Sequence, residues 1–409
     1  MSDKTARPEN SPDHLHGHSE TSACCQFMRP VMDQIRHNPG ADIIRYGRRV
    51  PNVLALGTGE TDTPTPEFIT RPVADALTAG HTFYGPILGR TDLRQTIAEY
   101  YKSIYGVNLS LDRVIVTASG TSAIHLSLTS ILEKGDEVVA ILPLWKNLLG
   151  AIRLAQAETH GVDLHLSADG KEWTLDLNEV FAAVTPKTRA IVINTPNNPT
   201  GWVMQEDDMR AIMDFARSRG LWVVSDEVYG RLVYGEKRAP SFLDVAKPDD
   251  KLFIVNSFSK NWAMTGWRLG WLIAPAAAEQ RIYDLVLYDN MGPPNFLQFG
   301  AIAALKDGEH FLEEQKTRFR ANRDIVCAAL SGIKGMHYAA PQSSFYVFFK
   351  MDGEPDCMAF AKRLIDDHAL GLAPGCSFGR NYEGFMRLCY AVSEPLLRDA
   401  LDRLGAALR

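Results

Sequence analysis

The sequence predicts an α/β protein whose larger part is a doubly wound, mostly parallel sheet. Apolar runs of strand length alternate along the chain with segments of helical periodicity. Hydroxyl, amide and charged residues follow the ends of these runs, where doubly wound sheets place their ligand sites. A chain of 409 residues is also long for a single core, which predicts two domains.

The composition excludes several classes of protein. Hydrophobic residues make up 45% of the chain and charged residues 22%, as in ordinary globular proteins. A net charge of -6 leaves no basic surplus to neutralise nucleic-acid phosphates. No apolar run reaches the length of a membrane span, and the six cysteines show no C-x-x-C spacing. We therefore expect a cytoplasmic protein with free thiols that binds neither nucleic acid nor a membrane.

Residues 1–20 are polar and rich in Ser, Pro, Glu and His, which predicts a disordered tail without a signal peptide. His14, His16 and His18 could hold a metal ion as a cluster. A flexible polar tail is the favoured interpretation, because no distant residue completes a metal site.

Periodicity and apolar runs assign the remaining elements. Helices are predicted at 27–50 with a bend at Pro39, at 66–79, at 93–101, from 119 onward, at 177–183 and, with breaks, from 296 to 330. Strands are predicted from 54 onward, at 113–118, 137–142, 162–166, 189–194, 221–225 and 252–255, and in the second domain at 344–350 and 385–392.

The segment 256–271, NSFSKNWAMTGWRLGW, carries the residues most suited to chemistry. It begins at the end of an apolar run, and its tryptophans would shield Lys260 from water. Loss of water lowers the pKa of a lysine, and an unprotonated amine can attack an aldehyde to form a Schiff base. Ser257 and Arg268 flank the lysine and suit a dianion such as a phosphate. The alternative is a lysine on an exposed turn beside a core strand.

The pattern S-x-S-K-x(7)-R, followed by an apolar strand that contains glycine, resembles the pyridoxal-phosphate lysine site of class I/II aminotransferases, the fold-type I group. The resemblance implies that Lys260 carries pyridoxal 5'-phosphate as a Schiff base. It also implies a smaller α+β domain formed by both chain ends. Residues 21–55 and 301–409 would form that domain, and 56–300 the large cofactor-binding domain.

Two further motifs carry the resemblance. LGTGETDTPTPEFI resembles the family's entry segment LGxGExDxPTPxxI, in which the second glycine, Gly59 here, lies against the substrate carboxylate. YGPILGRTDLR resembles the loop in which a tyrosine, Tyr84 here, reaches the cofactor phosphate of the neighbouring subunit. This implies a homodimer with shared active sites. From the residues alone, Tyr84 is equally well a packed loop aromatic.

The strand at 113–118 runs into SGTSA, which opens a helix. Free N–H groups at a helix N-terminus bind anions, although such caps also occur on helices that bind nothing. In the family this turn holds the cofactor phosphate, which nominates Ser119, Gly120 and Thr121. Trp145 falls where the family places the aromatic residue that covers the pyridine ring, and a core position is the alternative.

Four residues complete the predicted site. Asn198, in the turn TPNNPTG, resembles the asparagine that donates to the cofactor's ring oxygen. Asp226 ends a buried strand, where a carboxylate needs a cation such as a protonated pyridine nitrogen, and a helix N-cap is the alternative. Tyr229 matches the phenol that hydrogen-bonds the ring oxygen. Arg387 matches the arginine that clasps the α-carboxylate of the substrate, with a structural salt bridge as the alternative.

Together the motifs imply an aminotransferase (EC 2.6.1.-) of amino-acid metabolism, which moves an amino group between an L-amino acid and a 2-oxo acid. Lys260, Asp226 and Tyr229 would be its catalytic residues. A lyase or decarboxylase with the same cofactor remains open, as does a regulatory module on the same fold. Thr121 stands where some aspartate-acting members have a basic residue, which argues against strict dicarboxylate specificity.

Overall fold

The computed structural model describes residues 31–34, 38–167 and 169–408. The predicted tail at 1–20, its three histidines and the start of the helix predicted at 27–50 lie outside these ranges. No helix in the described part of the chain is long and apolar enough to cross a membrane.

Thirteen α-helices occur in the described residues: α1 Val31–Gln34, α2 Pro39–Gly47, α3 Glu67–Thr78, α4 Thr91–Tyr105, α5 Gly120–Ile131, α6 Lys146–Leu154, α7 Leu177–Ala182, α8 Glu206–Arg219, α9 Glu279–Asp289, α10 Leu297–Asp307, α11 Glu309–Ser331, α12 Cys357–His368 and α13 Glu394–Ala407. The strands of the same ranges are β1 Leu54–Ala55, β2 Val114–Thr117, β3 Glu137–Leu142, β4 Glu158–Asp163, β5 His165–Leu166, β6 Trp173–Thr174, β7 Thr188–Asn194, β8 Trp222–Asp226, β9 Leu252–Ser257, β10 Gly270–Ile273, β11 Met336–Tyr338, β12 Tyr346–Met351, β13 Leu370–Gly371, β14 Ala373–Pro374 and β15 Phe385–Cys389.

A seven-stranded sheet in the order β2-β10-β9-β8-β7-β3-β4 confirms the predicted doubly wound architecture. All its neighbours pair in parallel except β10, which is antiparallel to both β2 and β9. Alternate residues of every strand except β4 enter two cores: Ile191 and Ile193 of β7 face one, whereas Ala190 and Val192 face the other. Burial on both faces explains why these strands occur in the sequence as continuous apolar runs.

A smaller antiparallel sheet, β11-β12-β15-β14, lies in the C-terminal part of the chain. The N-terminal segment joins it, because β1 pairs in parallel with β13 and Ile43 and Leu56 enter the same core as Leu312, Phe360 and Leu397. Both chain ends therefore contribute to one α+β layer, as predicted. The domain limits at 55 and 300 stay predictions.

One element boundary differs from expectation in an informative way. The single strand predicted at 162–166 begins earlier, as β4 Glu158–Asp163, and the last two residues of the predicted range form a separate strand, β5 His165–Leu166. β4 is an edge strand that pairs only with β3, so its first residues face solvent and lack an apolar pattern. The long helix was predicted with breaks from 296 to 330, and one break lies at Gly308, between α10 and α11, where a Cβ would meet the indole nitrogen of Trp262.

Candidate active site

The parallel strands end at one edge of the large sheet, and a cleft of about 350 Å³ opens there. β12 and β15 of the smaller sheet supply its opposite wall through Tyr346 and Arg387. Eleven of the predicted site residues line this cleft: Gly59, Gly120, Thr121, Trp145, Asn198, Asp226, Tyr229, Ser257, Lys260, Arg268 and Arg387. Residues up to 328 positions apart in the sequence thus meet where the sheet topology places a ligand site.

Lys260 lies three residues after the end of β9. Its Nζ donates a hydrogen bond to the carbonyl oxygen of Gly59 at 2.7 Å. Burial lowers the pKa of this amine to about 8, and the positive charges of Arg387 and Arg268 act in the same direction. The lysine is therefore not on an exposed turn. At neutral pH a useful fraction of its amine is unprotonated and nucleophilic.

Asp226 is the last residue of β8 and is almost fully buried. The backbone N–H of Val228 donates to its carboxylate at 3.2 Å, and no helix begins there, so Asp226 is not a helix N-cap. Burial raises the pKa of the carboxyl to about 7, opposed by the Val228 hydrogen bond and the charge of Lys260. Within the described ranges it has no ion-pair partner, so a cationic ligand atom would relieve its burial.

Arg387 is a buried cation on the opposite wall, only 5% exposed. Its guanidinium donates to the side-chain oxygen of Asn198 at 2.8 Å and to the carbonyl oxygen of Gly57 at 2.6 Å. Its Nε has no hydrogen-bond partner and no carboxylate pairs with it among the described residues. The structural salt bridge that was the alternative for Arg387 is therefore not observed among the described residues. A bound anion would stabilise this buried positive charge.

An anion cradle forms where α5 begins. Ser119 is the N-cap, and its hydroxyl accepts from the backbone N–H of Ser122 at 2.9 Å. It is buried behind the wall of the cleft, so the structure does not bring it to the surface that Gly120 and Thr121 form. A Cβ on Gly120 would lie 3.1 Å from that of Ser257, so glycine allows the helix to approach β9 closely. Arg268 reaches the same cleft from an exposed position.

Comparison with known proteins identifies the family. Residues 51–404 match the profile of the family described as Aminotransferase class I and II. The chain belongs to this family. It is 32% identical over 91% of its length to the aspartate aminotransferase of Pyrococcus horikoshii, 95% of which is covered. It is 35% identical over 87% of its length to the probable aspartate/prephenate aminotransferase of Aquifex aeolicus, 91% of which is covered.

Solved structures agree with the family. The crystal structure of an aspartate aminotransferase from Thermotoga maritima matches 93% of the chain and 99% of its own, with a TM-score of 0.86 and 30% identity. The protein is a pyridoxal-phosphate-dependent aminotransferase of fold type I. These relatives are named as aminotransferases, which supports amino-group transfer over the lyase and regulatory alternatives.

The residues of the cleft fit the cofactor of this aminotransferase. The buried carboxylate of Asp226 lacks a cation, which a protonated pyridine nitrogen supplies. The amine of Lys260 has the lowered pKa needed to hold an aldehyde. Gly120 and Thr121 present a helix N-terminus to the cleft, beside Ser257, as a phosphate requires.

Nine residues that line the aminotransferase cleft were not predicted as site residues, and two of them, Tyr346 and Asn194, connect residues that were predicted. The hydroxyl of Tyr346 lies 2.9 Å from that of Tyr229. Asn194 donates to the carbonyl oxygen of Asp226 at 3.0 Å and accepts from the backbone N–H of Asn198 at 2.7 Å, so it connects two site residues. Its position at the end of an apolar strand was the available signal for Asn194. No comparable signal marks Tyr346.

Tyr84 is the predicted site residue that does not reach the cleft of its own chain. Its side chain is 83% exposed and that of the adjacent Phe83 is 81% exposed. Two exposed aromatic residues next to each other are unusual on a surface that faces only water. A role of Tyr84 in the site of a second subunit stays a prediction.

Proposed function

We propose that this aminotransferase binds and converts its substrates with the residues of the cleft described above, and that Lys260 holds the cofactor covalently. The observation that carries the proposal is the meeting of three groups in one cleft. They are an amine of lowered pKa, a buried carboxylate without a cation and a buried guanidinium without an anion. The amine would bind the aldehyde of the cofactor, the carboxylate its pyridine nitrogen, and the guanidinium the α-carboxylate of the substrate.

The remaining residues would hold the cofactor by its other groups. Asp226 would pair with the pyridine nitrogen, Tyr229 and Asn198 would donate to the ring oxygen, and Trp145 would cover the ring face. The phosphate would be held by the first turn of α5 and by side chains beside it: Ser119, Gly120, Thr121, Ser257 and Arg268, with Tyr84 added by the second subunit. Ser119 acts here through its cap on α5, since its hydroxyl is occupied by Ser122.

Pyridoxal phosphate supplies an electron sink for the pair of electrons left when the Cα–H bond of the substrate breaks. Lys260 is the base that accepts the α-proton on Nζ, and it is the acid that gives the proton up again. Burial serves this role, because it brings the pKa of the amine from 10.5 to about 8, within about one unit of neutral pH. Asp226 stays charged when a cation is bound beside it.

Arg387 would bind the α-carboxylate of the amino acid through two parallel hydrogen bonds, with Gly59 leaving room for that group. Lys260, Arg268 and Arg387 are the cations that line the cleft in the described chain. None of them remains for a second carboxylate once the cofactor and α-carboxylate are bound. Two relatives are named for aspartate, but we propose that this cleft accepts amino acids with uncharged side chains.

We further propose a homodimer with shared sites, in the cytoplasm. The exposed aromatic pair that includes Tyr84 supports the dimer, because burial of such a pair against a second copy is favourable. The four described cysteines are free thiols, which fits a reducing compartment. Division into a large domain at 56–300 and a small domain at 21–55 and 301–409 completes the proposal.

The test is a comparison of Lys260→Ala with Lys146→Ala. Burial also lowers the pKa of Lys146 to about 8, but its side chain does not line the cleft, so it is a matched control. After incubation with pyridoxal phosphate and borohydride, peptide mass spectrometry should find the adduct at residue 260 in the wild type and in Lys146→Ala. Lys260→Ala should show no adduct and no turnover. An adduct at another lysine, with activity retained, contradicts the proposal.

A product assay tests the type of reaction and the substrate together. The wild type should form a 2-oxo acid from leucine or phenylalanine when an acceptor oxo acid is present, and no ammonia without one. The value of kcat/KM for these amino acids should equal or exceed that for aspartate. A strong preference for aspartate would overturn the assignment of the side-chain pocket but not that of Lys260.

A further inference from the structure

Tyr346 belongs to the wall of the cleft that the smaller sheet supplies. It is the first residue of β12, is 1% exposed and pairs directly with Cys389 of β15. Arg387 lies two residues before Cys389, so the tyrosine and the arginine are diagonal neighbours on one face of the small sheet. The guanidinium carbon of Arg387 lies 4.3 Å from the centre of the Tyr346 ring. The ring therefore supports the guanidinium through a cation–π contact.

The position of the Tyr346 hydroxyl is fixed from two sides. It lies 2.9 Å from the hydroxyl of Tyr229, and the two rings cross at 82°. On another side it packs against Gly59, where an added Cβ would overlap the hydroxyl. Glycine at position 59 is thus required for this placement of the phenol. The ring of Tyr346 thus contacts Arg387, the proposed ligand of the substrate α-carboxylate. Its hydroxyl contacts Tyr229, the proposed donor to the cofactor's ring oxygen.

The number of protons decides the direction of the hydrogen bond between the two phenols. Each phenol has one proton to donate. Burial raises the pKa of both Tyr229 and Tyr346, so both hydroxyls keep that proton. If Tyr229 gives its proton to the cofactor's ring oxygen, it has none left for Tyr346. The hydrogen bond between them must then run from Tyr346 to Tyr229.

We propose that Tyr346 is a positioning residue that donates to Tyr229, directs the proton of Tyr229 toward the cofactor and supports Arg387 with its ring. This inference rests on the proposed role of Tyr229. A donated hydrogen bond makes Tyr229 a better donor in turn. Stronger donation stabilises negative charge on the ring oxygen of the bound cofactor. Because a hydrogen bond donated to that oxygen stabilises the deprotonated form of the bound chromophore, Tyr346 would keep its titration midpoint low.

The test is a spectrophotometric pH titration of the holoenzyme. Tyr346→Phe keeps the ring and removes the hydroxyl, and it should move the absorbance midpoint of the bound cofactor to higher pH by roughly half a unit. The matched control is Tyr390→Phe. Tyr390 is a buried tyrosine whose hydroxyl lies 3.2 Å from that of Tyr234, and it does not line the cleft. The control should leave the midpoint unchanged.

Tyr229→Phe separates failure of this inference from failure of the proposed function. It should shift the midpoint upward by more than Tyr346→Phe does, and Tyr346→Phe should add nothing in that background. If Tyr229→Phe leaves the midpoint unchanged, the role of Tyr229 itself is wrong. If Tyr229→Phe shifts the midpoint and Tyr346→Phe does not, the inference about Tyr346 is wrong.

Steady-state kinetics give a second readout. Tyr346→Phe should lower kcat about 3- to 10-fold and leave the KM of the amino acid within about twofold, because the ring under Arg387 remains. Tyr346→Leu, which removes the ring as well, should raise that KM. Equal changes in KM for both variants would overturn the separation of the hydroxyl's role from that of the ring.

Discussion

The pKa of Lys260 leads to a prediction about the cofactor-free protein. An amine attacks an aldehyde only in its unprotonated form, so the rate of covalent attachment of pyridoxal phosphate should follow the free amine of Lys260. Because burial lowers the pKa of this lysine from 10.5 to about 8, the rate should rise with pH and level off just above pH 8. An ordinary lysine would show a rate that still rises at pH 10.

The expected size of the effect follows from that pKa. With a pKa of about 8, about 9% of the Lys260 amine is unprotonated at pH 7, against about 0.03% for an ordinary lysine. Attachment at pH 7 should therefore be about 300-fold faster than to a fully solvated lysine of equal intrinsic reactivity. The positive charge of Arg387 lowers the pKa of Lys260 and the negative charge of Glu60 raises it, so substitutions of these two residues should move the midpoint in opposite directions. Arg387→Gln should raise it, and Glu60→Gln should lower it.

The assay measures the absorbance of the bound cofactor after the apoenzyme is mixed with excess pyridoxal phosphate, between about pH 6.5 and 10. Borohydride trapping and peptide mass spectrometry at residue 260 confirm that this amine is the one followed. A midpoint near 10, or one that moves in the same direction in both charge variants, would refute the claim that burial and local charge control Lys260.

Asp226→Ala should lower kcat by about 10²–10³, since it removes a charge that stabilises the reacting state, whereas Trp145→Phe keeps an aromatic face and should cost about tenfold or less. Equal losses in steady-state assays would contradict these roles. Arg387→Lys keeps the charge but loses the two-pronged geometry, so the KM of the amino acid should rise about 10- to 100-fold; an unchanged KM would place the α-carboxylate elsewhere. Tyr84→Phe should weaken cofactor binding in equilibrium dialysis, and a mixture of Tyr84→Phe and Lys260→Ala subunits should regain activity, because a hybrid dimer contains one site with both residues. Absence of such complementation would show that Tyr84 acts within its own chain or not at all.

Much of the cleft could be predicted because its residues stand directly after buried parallel strands. Asp226 is the last residue of β8, Asn198 and Lys260 lie four and three residues after the ends of β7 and β9, and each of these strands is an apolar run in the sequence. The order of these strands within the sheet does not need to be known, because the carboxyl ends of all parallel strands lie at the same edge of the sheet. The edge strand β4 was placed wrongly because its outer residues are polar.

The opposite wall of the cleft could be predicted only in part. Arg387 was marked by its charge within an apolar run, whereas Tyr346 begins a strand of the smaller sheet and has no unusual neighbour in the sequence. Its importance arises from the pairing of β12 with β15 and from the approach of Gly59 and Tyr229. Contacts of this kind depend on how two separately folded layers meet. A single sequence has no local pattern that encodes them.

The neighbouring acids Asp226 and Glu227 show why the structure is needed to divide functional from structural roles. Burial raises the pKa of both carboxyls to about 7. Glu227 accepts hydrogen bonds from the Ser241 hydroxyl at 2.6 Å, the Phe242 backbone N–H at 3.0 Å and the Ser225 hydroxyl at 3.1 Å. Its oxygens are therefore satisfied by the fold itself. Asp226 receives one backbone N–H at 3.2 Å among the described residues and faces the cleft with its remaining capacity unused. The number of hydrogen-bond donors around each carboxylate, rather than its burial or its pKa, identifies Asp226 as the acid whose carboxylate can still bind a ligand.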